Sequence, residues 1–268
     1  MSTSKGNCPI FPGFLQAISL VISIFIISRL ILQIINTFKH SLAQNPLVVM
    51  IVSSCVFIIV LLSFRNELAP RIYTNILTSP ISRHILWNLL IIMSGLVFAS
   101  AAMNLFLQVL FNQIGEVTNY YASVTNMEFL AYWMLVCLLN PCLEELFFMG
   151  LIFNGFTSRY TILKSKLLTS LLFALSHINI YQFFGSFLLR IFLSELYIKT
   201  KSLEACIAGH ILYNILVMII ILIFANLTGI KANLLLMIAI LLLSPVSIFL
   251  IIKGLFLFDS KCVSKKQK

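Results

Sequence analysis

The chain has 268 residues, 60% of them hydrophobic and only 10% charged, with a mean hydropathy of +1.06, against roughly 25% charged residues in a soluble domain. No water-soluble globular fold has enough interior to hide that much apolar surface, so this class is excluded. The formal charge of +10 does not point to nucleic acid as a partner, because the basic residues fall in short connections between apolar runs, where they orient membrane helices.

A bilayer core takes about 20 apolar residues per helical crossing. Windows of that kind run from Phe14 to Ile35, Pro46 to Phe64, Ile85 to Phe111 and Phe129 to Phe153. Four more follow, at Leu163 to His177, Ile180 to Ile198, Leu203 to Ala225 and Asn233 to Ile252, the fifth of the eight being short. The runs are continuously apolar rather than alternating, which favours helices over membrane strands. The predicted fold is therefore an all-α polytopic transmembrane bundle of about eight helices.

The opening Met1 to Phe14 has no small-residue cleavage site after the first apolar run, so a retained first helix is expected rather than a removed signal peptide. With both termini placed in the cytoplasm, fourteen of the 18 Lys and Arg residues fall in cytoplasmic segments, as the positive-inside bias requires. Residues 1–268 read as a single membrane domain, with the polar motifs at about 129–225 and a basic cytoplasmic tail at 253–268. Cys55, Cys137, Cys142 and Cys206 sit in apolar segments without a C-x-x-C pair, and they are read as packing residues. So are Phe147, Phe148, Phe183 and Phe184, either in the core or against lipid.

An ionisable side chain near the bilayer centre costs about 2.5–3.5 kcal/mol even on insertion scales, so each one inside a span needs a reason. Glu144 and Glu145 are adjacent in the fourth span, His177 ends the fifth, Arg190 and Glu195 lie in the sixth, and His210 and Asn214 lie in the seventh. Neighbouring helical residues point about 100° apart, so one glutamate can act while the other braces it. Asn140 and Pro141 have the residue types of an N-cap and first-turn proline, which predicts a fresh helix with both carboxylates in its first turns.

A hairpin near Tyr160 and Thr161 would put Glu144 and His177 level, about 24 Å along their helices. His210 and Asn214, spaced i and i+4, share a helix face and could present two donors to one point. A carboxylate and an imidazole to activate water, with a second imidazole and an amide for the oxyanion, form a set that could hydrolyse an amide. Membership in one site is firmer for Glu144 with His177 than for His210 with either. Straight helices place His177 and His210 at different depths, so either a segment is tilted, broken or partly re-entrant around Ile178 to Gly185, or these groups do not form one cluster. Arg190 and Glu195 are expected to pair with each other or to snorkel toward water. Two rival readings of the same residues are an ion-coupled transporter and, for the lone histidines, simple helix-to-helix hydrogen bonding.

The motifs Glu144-Glu145-Leu146-Phe147-Phe148-Met149, Phe173-Ala174-Leu175-Ser176-His177 and His210-Ile211-Leu212-Tyr213-Asn214 resemble those of the CPBP intramembrane proteases, the CAAX-protease and bacteriocin-processing or abortive-infection family, with E-E-x-x-x-R, F-x-x-x-H and H-x-x-x-N/D. Leu196 to Leu203 is similar to that family's L-Y-x-x-T-x-S-L stretch. The resemblance covers roughly Asn140 to Leu216. It implies a membrane peptidase in which Glu144 and His177 activate water, His210 and Asn214 hold the oxyanion and Glu145 supports them. Its substrate would be a peptide or a membrane-bound protein, in bacteriocin maturation or self-immunity at a bacterial plasma membrane. No cofactor is expected; were zinc present, Glu144, His177 and His210 would be its ligands. Met149 stands where the family has Arg, and Arg190 on the next helix but one is a candidate to take its place. The same departure keeps open a non-catalytic immunity or regulatory protein that retains the fold.

Overall fold

A computed structural model describes residues 11–68, 83–111, 126–225 and 245–253, which are helical with short connections and contain no strand. Helix α1 spans Phe14–Phe38, α2 His40–Gln44, α3 Pro46–Ser63 and α4 Arg83–Leu110. A composite helix, α5, runs over 126–157, and α6 spans Ile162–Ser176, α7 Ile180–Thr200 and α8 Leu203–Ala225. Residues 245–253 are a further helical piece, α9. Its sequence lies in the last of the predicted spans; the rest of that span and the basic tail after residue 253 lie outside the described residues.

The predicted windows therefore correspond to helices wherever the chain is described, with ends that move by a few residues. Among the described residues five helices are long and apolar enough to cross a bilayer: Phe14–Phe38, Pro46–Ser63, Leu86–Asn104, Leu130–Thr157 and Leu203–Leu222. The chain is thus a multi-pass membrane protein built only of helices in its described part. The other two predicted crossings, α6 and α7, differ from the five in length or charge. At 15 residues, α6 is about 22 Å long, short of the ~30 Å hydrocarbon core. The 21 residues of α7 carry Arg190, Glu195 and Lys199.

Helix α5 lies at the centre. Phe147, Phe148, Leu151, Ile152 and Phe156 are at most 1% exposed and pack with Ala17 and Ile24 of α1, Val56 of α3, and Leu172 and Phe173 of α6. The opposite side of α5, Met149 and Phe153, packs with Leu89, Met93, Leu189, Leu193 and Cys206 of α4, α7 and α8. A helix apolar all round belongs in an interior. By contrast α1 turns Ile22, Phe25, Ile26 and Leu30 outward, as a lipid-facing helix does. Phe147 and Phe148 are thus core residues, while Phe183 and Phe184 are half-buried.

Helix α5 does not restart at Asn140. Leu139 and Asn140 keep right-handed helical dihedrals, and Asn140 caps no backbone group but accepts from Ser54 Oγ of α3 at 2.6 Å. The α-helical segments Asn126–Met134, Asn140–Glu145 and Asn154–Thr157 are joined by π-helical turns at Leu135–Leu139 and Leu146–Phe153. Pro141 has no N–H and would disrupt a regular α-helix, and a wide turn just before it lets the helix continue instead of ending. In that turn Asn140 N–H donates to Leu135 O. The next bond of this register would run from residue 141 to Val136 O, and proline cannot make it.

Candidate active site

The two glutamates stand at the junction between the α-helical segment Asn140–Glu145 and the second π-helical stretch, and they face different surroundings. Glu145 is completely buried. Its Oε2 accepts from Arg190 Nη1 of α7 at 2.7 Å, and its Oε1 pairs with His210 Nδ1 of α8 at 2.7 Å. Glu144 has a side chain 21% exposed, and its Oε2 lies 3.6 Å from His210 Nε2. One carboxylate is therefore saturated and fixed, and the other keeps room for a further partner.

His210 sits between them, 2% exposed. Because a carboxylate facing Nδ1 accepts, Nδ1 carries the proton and Nε2 is the nitrogen turned to Glu144. Phe173 of α6 then ties the group together. The His210 ring meets it edge-on at 5.7 Å, the His177 ring meets it edge-on at 4.9 Å, and the Arg190 guanidinium lies over its face at 4.0 Å. Arg190 also stands 5.3 Å from the Phe148 ring, so its charge is held by one carboxylate and two aromatic faces.

His177 is the C-cap of α6, and its Nδ1–H donates to Phe173 O at 2.9 Å. The chain then reverses in two residues. Ile178 has φ +50°, a costly value for a β-branched residue, and Asn179 caps α7 by accepting from Tyr181 N at 2.9 Å. This tight reversal lies inside the segment where a break is expected from sequence. It ends α6 early enough for His177 and His210 to share Phe173 as a neighbour.

Several expectations change. His210, not His177, is the imidazole next to the glutamates, and among the described residues His177 makes no direct hydrogen bond to Glu144. The estimate of level positions for Glu144 and His177 counts residues along a regular helix, whereas the residue of α5 that points at α8 is decided by the π-turns. His210 and Asn214 do share the face of α8 turned to α5, but they do not meet one point there. Asn214 Nδ2 donates to Val136 O at 2.9 Å, more than two turns of α5 from Glu145. That carbonyl is the one Pro141 leaves without a π-register donor. In the second π-stretch Asn154 Nδ2 serves the Met149 and Gly150 carbonyls in the same way, at 3.0 and 3.1 Å.

Arg190 does not pair with Glu195. Glu195 takes Lys166 of α6 at 2.8 Å and Lys199 at 3.6 Å, because Arg190 lies more than one turn away on α7 and is turned inward. Arg190 and Phe173 are the two site members that sequence reasoning valued too little. The only signal for them was a lone buried cation and the F-x-x-x-H spacing. The zinc trio Glu144, His177 and His210 does not form a metal-holding group, and no other set of three His, Cys, Asp or Glu side chains does so among the described residues.

Fold and site together define a polytopic helical membrane protein with a buried carboxylate, guanidinium and imidazole network beside a partly exposed glutamate. A family model described as "Type II CAAX prenyl endopeptidase Rce1-like" matches residues 126–216, which takes in α5, α6, α7 and the first half of α8. That segment, about a third of the chain, is similar to this endopeptidase family and carries all the residues of the site described above. No curated protein and no solved structure matches the chain.

Proposed function

We propose that the protein is an intramembrane endopeptidase in which Glu144 is the general base for water. The single observation that carries this is the unequal setting of the two adjacent glutamates, one saturated by Arg190 and His210, the other 21% exposed beside His210 Nε2. Paired carboxylates whose environments differ in this way divide into an acting and a bracing residue.

In the reaction Glu144 takes a proton from water as the water oxygen attacks the peptide carbonyl carbon. His177 lines the same locale with Nε2 free of the Phe173 carbonyl and orients the water from the second side. His210 acts as the imidazolium between the two carboxylates, with Nδ1–H donated to Glu145 and Nε2–H directed to the developing oxyanion. The tetrahedral intermediate then collapses, the C–N bond breaks, and the proton held by Glu144 passes to the leaving amine. Asn214 serves this chemistry by holding the wide turn that aims Glu144 and Glu145.

The substrate we propose is a peptide or the end of a membrane-tethered protein, entering from the bilayer. The family description reads CAAX prenyl endopeptidase, and a lipidated C-terminus fits a site enclosed by apolar helices. The biological setting proposed is peptide maturation or self-immunity, including bacteriocin processing, in a bacterial plasma membrane. Purified protein in detergent, incubated with a peptide library, tests the activity. Cleavage by the wild type that disappears in Glu144→Gln and His177→Ala supports the reading. Equal cleavage by all three would overturn the assignment of those residues.

A further inference from the structure

Arg190 is 0% exposed and forms an ion pair with Glu145. Its Nε and Nη2 have no hydrogen-bond partner among the described residues. A buried guanidinium with unspent donors is costly, so its presence calls for a gain elsewhere. Position 149, one turn beyond Glu145, is filled by a fully buried Met. That Met packs in one apolar cluster with Leu189 and Leu193 of α7, the neighbours of Arg190 in sequence and along the helix. Position 149 therefore packs against the same stretch of α7 that sends Arg190 to the Glu145 carboxylate. Position 190 holds a cation and position 149 a neutral chain of similar length.

We infer that Arg190 is the positioning residue of this site, a guanidinium supplied from α7 in place of one at position 149 of α5. The inference rests on the endopeptidase reading. Arg190 acts through other residues and touches no substrate. It pins Glu145 Oε2, which leaves Oε1 to fix the tautomer and direction of His210, and it stacks on Phe173, the ring that both imidazoles contact. Without it Glu145 is free to rotate, and His210 Nε2 loses its aim beside Glu144. A second guanidinium at 149 would be redundant while Arg190 is present and restorative when it is gone. An ammonium at 190 would keep the charge but lose the planar stacking.

The experiment compares wild type, Arg190→Lys, Arg190→Met and Met149→Arg/Arg190→Met as full-length protein in detergent. It reads thermal stability, kcat and KM on a cleaved peptide, and the hydrogen-bonded His210 ring proton by NMR. Arg190→Met is expected to lose about a hundredfold or more in kcat with KM within about threefold, the signature of a misplaced catalytic group. The double variant should regain at least about tenfold of that loss, with Arg190→Lys between the extremes. The assignment is overturned by Arg190→Met at wild-type kcat, or by a double variant that recovers stability without kcat. Should Arg190→Met fail to fold, Met149→Arg/Arg190→Lys must exceed Arg190→Lys in kcat, and equality would overturn it. A wild type that cleaves nothing refutes the endopeptidase reading by itself. In that case the His210 signal, present in wild type, lost in Arg190→Met and restored in the double variant, still supports Arg190 as the positioning residue, and a signal indifferent to Arg190 removes it.

Discussion

Asn214 Nδ2 and Val136 O meet at 2.9 Å across the α5–α8 interface, at the carbonyl whose donor in the register of the wide turn would be residue 141, a proline. A proline, a π-turn and an amide from another helix are thus one device. It keeps α5 continuous while rotating the stretch that carries Glu144 and Glu145. Replacing Asn214 by Leu strands a carbonyl in an apolar interior and is expected to cost about 1–3 kcal/mol. The same change made in a Pro141→Ala background, where residue 141 has its own N–H, should cost at least about 1 kcal/mol less, a coupling that a double-mutant cycle in thermal or denaturant unfolding measures.

The two glutamates should separate cleanly by readout. Glu145→Leu leaves Arg190 without its carboxylate in the interior and is expected to destabilise the protein by about 3–5 kcal/mol. Glu144→Gln touches a partly exposed group with one long contact and should leave stability within about 0.5 kcal/mol while abolishing cleavage. Melting curves of the two variants alongside their peptide turnover make the comparison.

At the other end of the α6–α7 hairpin, Glu195 bridges Lys166 and Lys199 with side chains 19–30% exposed. Screened pairs of that kind contribute less than about 1 kcal/mol. Glu195→Gln is therefore expected to change the melting temperature little and the cleavage rate not at all. It also serves as the control charge removal for Arg190→Met.

Gly185 lets α7 pack tightly against Ser100 of α4 and Tyr213 of α8. A Cβ there would lie 2.7 Å from Tyr213 Oη and 2.9 Å from Ser100 Oγ, two groups already hydrogen-bonded to each other. Gly185→Ala should cost about 1–3 kcal/mol by overpacking. Tyr213→Phe in the same chain should relieve part of that cost, since it removes the nearest atom, and unfolding in detergent checks both.

Helix positions were readable because apolar runs of bilayer length have few alternatives, and α3, α4 and α8 begin and end within a few residues of the windows read from sequence. The interior of α5 was not readable. Asn140-Pro141 has the residue types of a helix start, and only the partners of those residues, Ser54 for Asn140 and Asn214 for the carbonyl behind Pro141, show a helix that runs on. Counting at 1.5 Å per residue linked Glu144 to His177, but two π-turns change which α5 residue faces which neighbour, and they turned Glu145 to His210. Arg190 was legible as an anomaly, a cation inside a span, yet its partner was not. Glu195 lies nearer in sequence, while Glu145 lies on another helix 45 residues away.

The central claim is that water activated by Glu144 cleaves a peptide bond in this site. Mass spectrometry of the products formed in heavy-oxygen water tests it most directly, using wild type and Glu144→Gln at matched folded concentration. One heavy oxygen is expected in the new C-terminal carboxyl group from the wild type, and no product from Glu144→Gln. Labelled product formed at the same rate by Glu144→Gln would contradict it.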